Sequence, residues 1–159
     1  MPVFLEKFVL PVLAAAVIAV IAINPLKLDW QQRLSMLVGV LGLAYKPDTD
    51  DIGSSPALDL LRRLRAMGAV VRAFDPRAND NARRAFADAI YMNDPYEIVA
   101  GADALLITTE WDQFRQLDWK RIHDSLARPL LLDGRNFLVP EEMKALGFEY
   151  YSIGRPVTK

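Results

Sequence analysis

Residues 42 to 61 read GLAYKPDTDDIGSSPALDLL and gather Lys46, Asp48, Asp50 and Asp51 in one short loop. An apolar run, a glycine and a capped helix outline a nucleotide-binding turn, in which backbone N–H groups at a helix start receive phosphate. Three carboxylates around one ammonium are a poor setting for an anion. Gly39 and Gly42 do not give the G-x-G-x-x-G spacing, and the loop from Lys46 to Ser54 separates Tyr45 from the helix cap. A generic NAD site on this domain is therefore not expected. The other chemistry-bearing positions are Asp75, Thr108 to Asp112 and Asp133 to Asn136, each just after an apolar run. His123 has no second histidine with which to complete a metal site, so no metal is expected. The absence of cysteine removes disulfides, thiolate metal ligands and covalent thiol chemistry from these 159 residues.

The elements that must position these groups alternate between strand and helix signals after residue 35, the mark of a parallel sheet with crossover helices. LVGVLGLAY, residues 37–45, suits a strand buried on both faces, although a run this apolar also admits a second membrane segment. A helix follows, with Ser55 as N-cap, Pro56 at its first position, a stripe of Ala57, Leu60, Leu61, Leu64 and Met67, and Gly68 as stop. AVVRAF is a strand closed by Asp75-Pro76. Asn79 to Ala87 reads as a short helix with Ala82, Ala85 and Phe86 inward, and ADALLITT as another buried strand. Trp119, Ile122 and Leu126 form a helical stripe, PLLLDG a strand ending in a turn, Pro140 to Leu146 a helix and FEYYSI a last strand. The fold class is α/β, a Rossmann-like three-layer arrangement on an open, mostly parallel sheet. Ligands of such sheets sit beyond the carboxyl ends of the strands, where the residues singled out above lie.

The leading segment differs. FVLPVLAAAVIAVIAINPL runs from Phe8 to Leu26 without a charge, and as a helix it spans roughly 28 Å, close to a bilayer's hydrocarbon thickness. It reads as a single-pass anchor, with a cleaved signal or a buried core helix as alternatives. Lys27 and Arg33 outnumber Lys7, which places the C-terminal domain in the cytoplasm. The expected division is an anchor and linker over 1–35 and one α/β domain over 36–159. A net charge of -1 and a pI near 5.8 give no footprint for nucleic acid.

GLAYKPDTDD, SPALDLLRRLRAMGAVVRAFDP, ADALLITTEWDQF, DGRN and GFEYYSIGRP, in that order, resemble the C-terminal UDP-binding domain of the UDP-glucose/GDP-mannose dehydrogenase family, and TEWDQF and DGRN its UDP-glucose 6-dehydrogenase branch. The resemblance covers about residues 37 to 156 and leaves out 1 to 36. It implies an oxidoreductase that converts UDP-glucose to UDP-glucuronate with NAD. It also implies substrate contacts from Lys46, with Tyr45 beside it, and from Arg135, an ammonium and a guanidinium suited to phosphate or carboxylate oxygens. Thr49, Asp50 and Asp51 then shape the loop by bonding its backbone N–H groups.

Two departures matter. Where the family has Arg-Glu before Ser-Pro, an Arg associated with NAD across the domain interface, this chain has Gly53 and Ser54. The family's NAD-binding domain, dimerisation helix and catalytic cysteine thiolate are not among these residues. No catalytic residue is expected in this chain, no cofactor bound by it alone, and a subunit supplying the NAD-binding half is an expected partner beside the nucleotide sugar and the membrane. The alternatives are a non-catalytic, membrane-tethered nucleotide-sugar or protein-binding module, or the product of a truncated or fused gene.

Each residue has a plainer reading too. Lys46 also reads as a solvated loop lysine, and Arg135 as half of a surface ion pair. Asp75 in Asp-Pro reads as a turn residue. Glu110, Trp111 and Phe114 either border the uracil or pack the core edge. His123 reads as a solvated helix residue. Arg62, Arg63 and Arg65 form a polar face that also suits anionic lipid head groups.

Overall fold

The computed structural model describes residues 36–153. Its centre is a six-stranded sheet, every pairing parallel, in the order β3-β2-β1-β4-β5-β6. The strands are β1 (Leu37–Leu41), β2 (Val70–Phe74), β3 (Ile90–Tyr91), β4 (Ala104–Ile107), β5 (Leu130–Asp133) and β6 (Glu149–Ser152). The helices between them are α1 (Pro56–Ala66), α2 (Asn79–Ala85), α3 (Asp112–Arg115), α4 (Trp119–Ser125) and α5 (Pro140–Ala145). Strand order runs one way through β1, β2 and β3 and the other way from β4 to β6. Right-handed crossovers therefore put α1 and α2 on one face and α4 and α5 on the other.

The three middle strands are apolar on both faces because both faces are covered: Val38, Val40, Leu41, Leu105, Leu106, Leu131 and Leu132 are all buried. α1 forms where its signals stand. Ser55 Oγ accepts from the Ala57 N–H at 3.2 Å, Pro56 opens the helix, and Leu60, Leu61 and Leu64 face the core.

The apolar run after residue 36 divides. β1 ends at Leu41, and Gly42 turns the chain out of the sheet at φ +92°, so the expected strand is shorter than its hydrophobic run. A Cβ at Gly42 would lie 2.5 Å from the Thr109 Cβ, so glycine is required by conformation and by space. Residues 37–41 belong to the sheet and form no membrane segment.

Three further details correct the sequence reading. Ala85 faces solvent while Ala82 is buried, because α2 ends at Ala85 and Phe86 is already extended. Strand β3 and the single turn α3 were not foreseen, being too short to show a period. His123 is half-buried rather than solvated, with its ring edge-on to Phe148 at 5.2 Å. The expected anchor at residues 8–26 lies outside the described residues, and among those described no helix is long and apolar enough to cross a membrane.

Candidate functional site

Register aligns the carboxyl ends of the strands into one row. Leu41 pairs with Phe74 on one side and Ile107 on the other, and Ile107 pairs with Asp133. The next residue on each strand, Gly42, Asp75, Thr108 and Gly134, therefore stands at one rim, and strand order reverses between β1 and β4, where parallel α/β sheets place ligands.

The inner part of this rim is occupied by the protein's own carboxylates. Asp75, 2% exposed, takes the N–H groups of Leu43 (2.7 Å) and Ala44 (2.9 Å) and the Trp111 indole N–H (3.1 Å) on one oxygen. Its other oxygen takes the N–H groups of Arg77 (2.9 Å) and Ala78 (2.8 Å). Thr109 Oγ1 donates to the Ala44 carbonyl at 2.6 Å, tying the end of β4 to the chain leaving β1. Asp133, 1% exposed, does the same for the β5 turn, accepting from Arg135 N (2.9 Å), Phe137 N (2.7 Å), Leu138 N (2.8 Å) and Tyr150 OH (2.8 Å).

Chemically, this arrangement decides against a dinucleotide at the reversal point. A pyrophosphate there needs free backbone N–H groups on the turn after β1 and room for close approach. The Leu43 and Ala44 N–H groups are spent on Asp75, and Gly42 abuts Thr109. A dinucleotide's pyrophosphate does not fit this turn.

Outside this inner layer stand cations. Lys46 is exposed and has no ion pair among the described residues. Arg77 is exposed, donates to the Asp48 carbonyl at 3.1 Å and lies over the Trp111 ring at 6.0 Å. Arg135 presents its Nε and Nη2 to the two oxygens of Glu110, with Nη2 to Oε1 at 2.7 Å. Burial by itself raises the Glu110 carboxyl, but the Arg135 hydrogen bond, a hydrogen bond from the backbone at Glu110 and the Arg135 charge together outweigh it and hold the group below its ordinary 4.5.

Residues 39–140 match the model of the UDP-glucose/GDP-mannose dehydrogenase family, UDP binding domain. The chain belongs to this family. UDP-glucose 6-dehydrogenase of Pseudomonas aeruginosa is 46% identical over 133 residues, which is 80% of this chain and 29% of that protein. The Rhizobium meliloti enzyme of the same name is 45% identical over 75% of this chain and 27% of its own length. Among solved structures, the UDP-glucose dehydrogenase of Pyrobaculum islandicum superimposes with a TM-score of 0.62 at 30% identity, over 80% of this chain and 26% of that one. A UDP-D-ManNAc dehydrogenase from Pyrococcus horikoshii gives 0.68 at 29% identity, over 91% and 31%. The chain thus spans less than a third of the length of these relatives.

In this UDP-binding domain the expected site residues separate into two groups. Tyr45 is half-buried, and its N–H closes the loop onto the Asp51 carbonyl at 2.8 Å. Lys46 projects from the same loop, whereas Arg135 stands two strands away, roughly 10 Å along the rim at the usual strand spacing. Thr49 Oγ1 accepts from Asp51 N and Asp51 Oδ1 from Gly53 N, so both bond the loop's own backbone. Asp50 instead accepts from Asn81 Nδ2 at 3.2 Å, joining the loop to α2. Trp111 and Phe114 are buried in the core and are not available to stack on a base. Arg77 was missed by sequence reasoning, and its only signal was a cation directly after Asp75-Pro76 at a strand end.

Proposed function

We propose that the domain binds the UDP part of a nucleotide sugar across the carboxyl rim, with Lys46 and Arg135 as the phosphate-facing cations. Two cations standing on either side of the strand reversal, while the inner N–H groups are consumed by Asp75, carry this reading. A ligand on this rim must be anionic and must meet side chains, because the backbone cradle of a dinucleotide site is closed. The carboxylates of the β1 loop act on the loop and on α2, which leaves the cations to select the anion.

The names of the relatives support UDP-glucose as the sugar nucleotide and its oxidation as the reaction served, and the family resemblance supports NAD as the oxidant and UDP-glucuronate as the product. These 159 residues hold no cysteine, so the covalent thiol step and the hydride acceptor's site are assigned to protein beyond them, in a partner subunit or another domain. Residues 8–26 are assigned as an anchor holding the domain on the cytoplasmic side of a membrane, on the strength of their uncharged run. Alkaline carbonate extraction checks that point: the chain stays with the membrane pellet if the assignment is right and leaves with the supernatant if it is wrong.

Calorimetric titration with UDP tests the main reading. The unaltered chain binds, and Lys46→Ala weakens binding by roughly tenfold, as loss of one charged hydrogen bond does. UDP affinity equal to that of the unaltered chain in both the folded Lys46→Ala and Arg135→Ala variants would remove both cations from the site.

A further inference from the structure

We propose that Glu110 is a positioning residue for the nucleotide's diphosphate, clamping the side edge of the Arg135 guanidinium so that the adjoining end edge is presented to phosphate oxygens. This rests on the reading of Arg135 as a phosphate contact.

A guanidinium carries five N–H donors in a planar fork. Glu110 engages Nε and Nη2, which is the side edge, in a two-point pair. Nη1 has no acceptor among the described residues, so the end edge, made by Nη1 and the second Nη2 hydrogen, remains available. That edge matches two oxygens of one phosphate group. Glu110 and a phosphate therefore take different edges and do not compete for the same hydrogens.

The surroundings turn this pairing into a fixed mount. The Arg135 side chain is 17% exposed and that of Glu110 33%, so the pair lies partly out of solvent, where it is less screened than a surface ion pair. The Arg135 backbone is held from below by Asp133, and the next residue, Asn136, adopts φ +52° and donates from Nδ2 to the Ile153 carbonyl at 3.0 Å. Main chain and side chain of Arg135 are thus each fixed by a carboxylate, one from the end of β5 and one from the turn after β4. A long cationic side chain oriented before the ligand arrives loses less freedom on binding.

The test is a double-mutant cycle on the full 159-residue chain, reading UDP affinity by calorimetry for the unaltered protein, Glu110→Ala, Arg135→Ala and the double variant. Uridine, which lacks phosphate, is titrated alongside. Arg135→Ala is expected to lose at least about tenfold for UDP. Glu110→Ala should lose nearly as much, and the double variant no more than Arg135→Ala alone, since the two act as one unit. Glu110→Gln should lose less than Glu110→Ala, because its amide oxygen still accepts one hydrogen bond, and uridine affinity should not follow the series. Additive losses, or Glu110→Ala binding UDP as tightly as the unaltered chain or more tightly while Arg135→Ala weakens it, would overturn the positioning role alone. An Arg135→Ala variant that binds UDP unchanged would overturn the phosphate contact and the positioning role together. If Glu110→Ala does not fold, the Glu110→Gln comparison decides, with wild-type affinity counting against the proposal.

Discussion

Asp75 and Arg135 show how two residues at the same rim divide the electrostatic work. Asp75 accepts five N–H donors from three separate segments, so removing its carboxylate leaves buried donors unmatched. Each unmatched buried donor costs about 1–3 kcal/mol. Asp75→Ala should therefore lower unfolding stability by more than about 3 kcal/mol in urea titration, and a loss below about 1 kcal/mol would show the hub to be dispensable. Glu110 gives a pH signature. Its folded value is depressed below 4.5, so the stability it adds with Arg135 is fully present above that ordinary value and is lost as pH falls through the lower folded value. Between about pH 7 and about pH 3 the unaltered chain should lose more stability than Glu110→Gln, by parallel denaturant titrations; identical losses would mean that the pair adds nothing to the fold.

At the level of elements, the β1 loop is held by bonds that reach out of it. Arg77 donates to the Asp48 carbonyl, where Asp48 sits at φ +63°, and Asn81 donates to Asp50. Arg77→Ala should raise amide hydrogen exchange in residues 46–53 while leaving β1 protected, and an unchanged loop would show that the contact does not restrain it. Ser55 caps α1 and donates to the Leu43 carbonyl at 2.5 Å, so Ser55→Ala should cost about 1–2 kcal/mol. Much of this level is legible from sequence, because Ser55, Pro56 and Gly68 mark the ends of α1 chemically and the central strands are unbroken apolar runs. β3 and α3 were not, since Ile90–Tyr91 and Asp112–Arg115 take their shape from neighbours and not from any period of their own. The candidate residues could be singled out in the sequence, whereas their contacts could not. Lys46, Thr49, Asp51 and Arg135 stood out in the chain, but the Glu110–Arg135 pair spans 25 positions and the Asp75 bonds to Leu43 and Ala44 span 32 and 31. Asp75-Pro76 by itself looks like any turn, and only the sheet register brings it under the chain leaving β1.

For the whole molecule, the turn that dinucleotide-binding sheets use is closed by the protein's own side chains. The order β3-β2-β1-β4-β5-β6 is that of dinucleotide-binding sheets, yet the turn that would receive a pyrophosphate is filled by Asp75 and Thr109. On the proposed reading, anion recognition moves outward to side chains, and the chain's small net charge of -1 leaves specificity to those local cations and not to a general field. On the proposed reading, the domain holds a nucleotide sugar at this outer rim.

The most direct measurement is calorimetric titration of the full chain with UDP, UDP-glucose and NAD in parallel. Saturable binding of UDP and UDP-glucose with none for NAD is the predicted result. Binding of NAD alone, or no binding of any of the three by a folded chain, would contradict it.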